Sequence, residues 1–138
     1  MNLIQIKSGT TAKPEPHPTI TFSYCNGRIY FNGPTVKQLA LKERSCLAFF
    51  QDQEDPKSWF FEILTNANSP LYEGAVEFKF DRQLKALRVY CANIARTFLR
   101  SIEVPKDTVS FYIEKDRFQG RELWRILADQ PVKKLGHD

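Results

Sequence analysis

The sequence predicts a mainly β fold with two short helices, in which two ββαββ units close one barrel around a pseudo-two-fold axis. Three observations carry this. Short runs of alternating apolar and polar residues are separated by turn signals, the pattern of half-buried strands. The same order of elements recurs about sixty residues further on. The 138 residues are 42% hydrophobic and 13% aromatic, with eleven Phe and five Tyr, enough apolar bulk for one shared interior.

Residues 3–7 (LIQIK) alternate briefly and read as a short edge strand, followed by a proline-rich arm to residue 18 that cannot be helical. From Thr19, Ile20, Phe22 and Tyr24 alternate with Thr21 and Ser23 as a first strand. Asn26-Gly27 is a strong hairpin signal and predicts a type I′ turn. Residues 28–31 return as the partner, with Ile29 and Phe31 inward. After Pro34, residues 35–41 predict a two-turn helix with Val36, Leu39 and Ala40 inward. Residues 42–45 turn the chain, 46–51 form a third strand, 52–58 a polar loop and 59–64 a fourth strand.

The second half repeats the order. Val76, Phe78 and Phe80 alternate with Glu77 and Lys79; a turn follows over 81–85; Leu87, Val89 and Cys91 then alternate with Arg88 and Tyr90. Asn93 is the expected N-cap of a helix whose Ile94, Phe98, Leu99 and Ile102 share one face, with Arg96 and Arg100 opposite. A turn over 104–107, a strand over 108–114, a loop over 115–120 and a last segment over 122–127 complete the unit. Arg28-Ile29-Tyr30 matches Arg88-Val89-Tyr90, and Trp59 matches Trp124.

Two copies belong in one core for a physical reason. A unit of about 50 residues buries too little surface to stand alone, and an isolated hairpin is marginal in water. Interleaving the hairpins of two units pairs their edges and encloses one interior. Phe22, Phe31, Phe49, Phe61, Phe78, Phe80, Phe98 and Phe111 are its expected filling. The expected organisation is an arm over 1–18, one barrel over 19–127 from repeats 19–64 and 75–127, and a polar tail over 128–138.

Composition excludes several classes. The chain is too apolar for intrinsic disorder, lacks a run of about 20 apolar residues for a bilayer crossing, and opens on no signal-peptide pattern, so a cytoplasmic location is expected. Cys25, Cys46 and Cys91 are widely spaced and read as buried small hydrophobes in a reducing compartment. His17 and His137, the two histidines, lie in polar end segments, so no metal or cofactor site and no nucleophilic triad is expected. The chain is read as a non-enzyme.

Charge is informative by position. The net charge is +4, yet Lys79, Arg82, Lys85, Arg88, Arg96 and Arg100 face a single acid, Asp81, between residues 79 and 100. Such a surplus attracts a polyanion.

Residues 27–49, GRIYFNGPTVKQLALKERSCLAF, resemble the AbrB-type swapped-hairpin domain. Its pattern runs Gly-Arg, alternating apolar positions, a short helix ending in Leu-x-Leu, a Lys/Glu-rich turn and an apolar strand. The second half resembles it more loosely, with Leu87 in place of the glycine; Asn32 and Arg44-Ser45 also depart from the pattern. The resemblance implies a swapped-hairpin barrel and double-stranded DNA binding, as in transcriptional regulators and antitoxins. It places contacts at Arg28, at Arg88 and at Lys37 of the first helix, while Val36 stands where a further basic residue is common.

Three readings therefore compete. In the first, Arg28, Lys37, Arg82, Lys85, Arg88, Arg96 and Arg100 hold the phosphates of double-stranded DNA. In the second, the barrel is a protein-interaction or homo-oligomeric assembly domain without DNA binding, consistent with the acidic Asp52, Glu54 and Asp55 loop. Single-stranded nucleic acid on a strand face bearing aromatics and arginines is a third reading, with Tyr30 and Tyr90 available for stacking.

Overall fold

The computed structural model describes residues 17–64, 70–83, 85–104 and 107–132. The expected edge strand at 3–7, most of the arm and residues 133–138 lie outside them. The elements are β1 (Thr19–Ser23), β2 (Arg28–Phe31), α1 (Gly33–Gln38), β3 (Cys46–Gln51), β4 (Trp59–Leu64), a 3-10 turn (Pro70–Gly74), β5 (Val76–Glu77), β6 (Lys79–Asp81), β7 (Ala86–Tyr90), α2 (Ala92–Ser101), β8 (Thr108–Phe118) and β9 (Arg121–Pro131).

All pairs are antiparallel, in the order β5-β3-β4-β9-β8-β1-β2-β7-β6. The two ends of that order, β5 and β6, are separated in the chain only by Phe78. Its N–H donates to the Ser45 carbonyl at 3.0 Å and its carbonyl accepts from Arg44 N–H at 2.8 Å. One broken strand thus joins β3 on one side to β7 on the other, and the sheet is a nearly closed barrel.

One expected core ring is only partly covered. Phe80 pairs with the inward Leu87 and shares the inner face with Phe78, while Lys79 pairs with Arg88 on the outer face, but Phe80 stands next to the β6–β7 turn. Phe78 is fully buried, whereas Phe80 is 49% exposed. The other expected rings hold the core: Phe22, Phe31, Phe61, Phe98 and Phe111 are fully buried, and Phe49 is half-buried against them. Phe22 stacks on Phe98 with ring centroids 4.2 Å apart, and Phe98 meets Phe111 and Trp59 edge-on at 5.3 and 5.5 Å. Trp59 Nε1 satisfies its polar end on Ser101 Oγ at 2.8 Å and Pro56 O at 3.1 Å.

Turn chemistry departs from expectation in two places. Between β1 and β2 only Gly27 has positive φ, +70°, and its N–H returns to the Ser23 carbonyl at 3.0 Å, so the turn is longer than type I′. Asn26 serves instead as an acceptor, its Oδ1 taking the Arg28 N–H at 3.0 Å. Between β8 and β9, Gln119 and Gly120 both have positive φ, 51° and 78°. That tight two-residue turn carries both strands through residues expected to be loop. β9 also continues to Pro131, so residues 128–131 are strand rather than tail.

Helix α1 starts earlier than expected, because Asn32 Oδ1 caps the Thr35 N–H at 3.0 Å with Pro34 in the first turn. Thr35 is buried and its Oγ1 accepts from Thr19 N–H at 2.9 Å. Val36 and Leu39 pack on the core, but Ala40 is exposed with φ of 53°. Helix α2 is capped at Cys91, not Asn93, with no side-chain cap bond. Of its expected inward face, Phe98 and Leu99 are buried and Ile94 and Ile102 pack beside them; Ala95, not expected there, is buried too. Of the cysteines, all free, Cys46 is buried and Cys91 half-buried, while Cys25 is exposed in the β1–β2 turn, contrary to the expected burial. No described helix is long and apolar enough to cross a membrane.

Candidate nucleic-acid interface

Strands β2 and β7 lie side by side with Arg28 opposite Tyr90, Ile29 opposite Val89 and Tyr30 opposite Arg88. Ile29, Phe31 and Leu87 fill the barrel, so alternation turns Arg28, Tyr30, Arg88 and Tyr90 to the outer face. The Arg28 guanidinium lies over the Tyr30 ring at 4.9 Å, and Arg88 lies over Tyr90 at 4.8 Å. Such stacking holds each cation on the sheet surface. The two arginines differ in partners: Arg88 Nε donates to Asp81 Oδ2 at 2.8 Å, whereas Arg28 Nε has no hydrogen-bond acceptor among the described residues.

The helices sit at the two hairpins. α1 packs against β7, and a Cβ on Gly33 would lie 3.3 Å from the Lys85 carbonyl, so Lys37 belongs to the helix that adjoins the β6–β7 turn. Lys37, Arg82 and Lys85 are exposed and have no carboxylate partner among the described residues. α2 packs against β1 and β2 at the other hairpin.

There Arg96 and Arg100 are not a free outer face. Arg96 donates from Nε to the Tyr24 carbonyl at 2.9 Å and from Nη2 to the Cys25 carbonyl at 3.0 Å. Arg100 donates from Nε and Nη2 to Tyr24 Oη at 3.1 and 2.8 Å, and both guanidiniums lie within 5.6 Å of the Tyr24 ring centre. They clamp the β1–β2 turn to the helix. The sequence spacing shows the arginine pair but not its acceptors, which are more than seventy residues away. Replacing Arg96 with Ala is expected to cost about 2 kcal/mol, because charge-assisted bonds to two turn carbonyls are lost. Lys37→Ala, which breaks no such bond, should stay within about 0.5 kcal/mol of the parent in urea denaturation.

The seven expected residues therefore fall into three groups on adjoining elements: Lys37, Arg82 and Lys85 at one hairpin, Arg28 and Arg88 on the strands between, and Arg96 and Arg100 at the other hairpin. Among the described residues no group of three or more His, Cys, Asp or Glu side chains is placed to hold a metal. A cavity of about 350 Å³ lies elsewhere, lined by Asp55, Ser58, Ile102, Arg125 and Asp129 among others, and contains none of the seven. At its edge the Ser58 hydroxyl donates to Asp55 at 2.6 Å and holds that carboxyl below its ordinary range, with Arg125 adding a smaller pull.

Comparison of the chain with protein-family models, with curated proteins and with solved structures finds no match.

Proposed function

We propose that the chain is a double-stranded DNA-binding protein, a regulator or antitoxin-like factor, which grips the duplex backbone along β2, β7 and the two hairpins. The observation that carries this reading is the pair Arg28 and Arg88 on the outer face of β2 and β7, with exposed Lys37, Arg82 and Lys85 on the adjoining helix and turn and Asp81 as the lone acid in the stretch from Lys79 to Arg100. Phosphates recognise such a surface without base readout.

The proposal includes the swapped-hairpin architecture. Exchanging β1 for the β5–β6 strand, β2 for β7, β3 for β8 and β4 for β9 leaves the list of strand pairs unchanged, which supports it. At residue level the pair Arg28–Tyr90 exchanges with Arg88–Tyr30, and Trp59–Ile126 with Trp124–Phe61. The two arginine–tyrosine stacks are then equivalents. The competing reading, an assembly domain that binds protein, draws support from the Asp81–Arg88 ion pair, which neutralises one cation in the middle of the surface.

Polarisation of a labelled random duplex separates the two. With about five phosphates neutralised, log K should fall against log salt with a slope of about −4.5. Arg82→Glu with Lys85→Glu should lower affinity at least about tenfold and flatten that slope, since both charges are exposed and each reversal repels the backbone. Absence of duplex binding at low salt would exclude the DNA reading and leave the assembly reading.

A further inference from the structure

Each hairpin of the basic surface carries an aromatic ring beside its turn, and the two rings are treated differently. Tyr24 is covered, with the Arg96 and Arg100 guanidiniums 5.5 and 5.6 Å from its ring centre. Phe80 is bare: it is 49% exposed and has no ring or cation contact among the described residues. The difference is built into the helices. α2 carries two arginines on the side facing its hairpin, whereas α1, GPTVKQ, carries no arginine and its one cation is Lys37. Two cations nevertheless follow Phe80 in the chain. Arg82 and Lys85 lie in the β6–β7 turn and are exposed, whereas Lys79, opposite Arg88, is on the other face of the strand.

We infer that Phe80 is a stacking platform for an unpaired nucleobase, so that the preferred ligand is a duplex continuing into a single-stranded segment at the β6–β7 end. This rests on the nucleic-acid reading above and adds to it. An intact duplex hides its base faces within the stack and offers phosphates, which the arginines and lysines satisfy without Phe80. A single strand offers both a phosphate and a base face, and a half-exposed ring next to a turn that carries Arg82 and Lys85 meets both. The covered Tyr24 leaves the opposite hairpin to contact backbone alone, giving the surface a polarity that the strand pairing lacks.

The test compares a blunt labelled duplex with the same duplex carrying a single-stranded thymidine tail, using the full chain and polarisation at low salt. The parent protein should bind the tailed duplex about tenfold more tightly, within the range of one aromatic–base stack. Phe80→Ala should erase that preference while leaving blunt-duplex affinity unchanged, with the small loss of thermal stability that truncating a half-buried ring brings, and Phe80→Trp should retain it. Equal binding of the two ligands by the parent protein, or a preference that survives Phe80→Ala, overturns the inference and leaves the duplex reading standing. Failure to bind either ligand overturns both.

Discussion

Replacing Phe98 with alanine is expected to cost about 4 kcal/mol, within the usual range for emptying a large buried aromatic site. Phe98 is fully buried, and its ring meets Phe22, Phe111 and Trp59. It is also the residue by which α2 enters the barrel, so the cavity would open at a junction of helix and sheet. The surrounding rings sit on β1, β8 and β4, which are tied to their neighbours by backbone ladders and cannot collapse inward. In urea denaturation the midpoint should fall with the m-value unchanged. Phe98→Leu, which keeps most of the volume, should cost about 1.5 kcal/mol or less. Because Phe22 and Phe98 stack directly, the double alanine variant should lose less than the sum of the two single losses.

Gly27→Ala is expected to be the most damaging small substitution, at about 3 kcal/mol, adding steric overlap to backbone strain. Gly27 has φ of +70°, and a Cβ there would lie 2.6 Å from Ala92 Cα and 2.9 Å from Ala92 N. Those are backbone atoms at the start of α2, so nothing flexible can give way. The Gly27 carbonyl also accepts the Cys91 N–H at 2.8 Å, which fixes the distance between turn and helix. Gly120→Ala provides the control. Gly120 has φ of +78° but no atom within 4 Å of the added methyl, so only strain remains and the loss should be about 1 kcal/mol. The difference between the two variants, measured by denaturation, isolates the close approach of hairpin and helix.

Much of this molecule is legible along the chain. β1, β2, β3 and β4 fall where the sequence places them; β2 alternates in burial, whereas in β1 Thr21 and Ser23 are buried as well, their hydroxyls bonded to Ser110 and Thr108 of β8. The recurrence of Arg-Ile-Tyr as Arg-Val-Tyr marks two strands that turn out to be direct neighbours. Local signals misled where a longer-range contact set the geometry. Asn26-Gly27 suggested a two-residue turn, but Ala92 lies against Gly27 and the chain takes a wider path. Phe80 keeps the inward alternation, opposite Leu87, but next to the β6–β7 turn it is left 49% exposed. The extension of β8 and β9 to a tight hairpin was hidden by the charged run Glu114–Arg117, whose side chains are exposed on a projecting ribbon and give no apolar alternation.

The candidate site divides in the same way. Which residues are cationic, and that they concentrate between Lys79 and Arg100, is a property of the sequence alone. Which of them are available to a ligand was decided by tertiary contacts. Asp81 takes Arg88, the Tyr24 and Cys25 carbonyls take Arg96, the Tyr24 hydroxyl takes Arg100, and Lys37, Arg82 and Lys85 stay exposed. Periodicity fixes a side chain's face because it depends only on the residue's own strand or helix. An ion pair or a cation on a ring depends on what another segment brings alongside, and no spacing within one element encodes that.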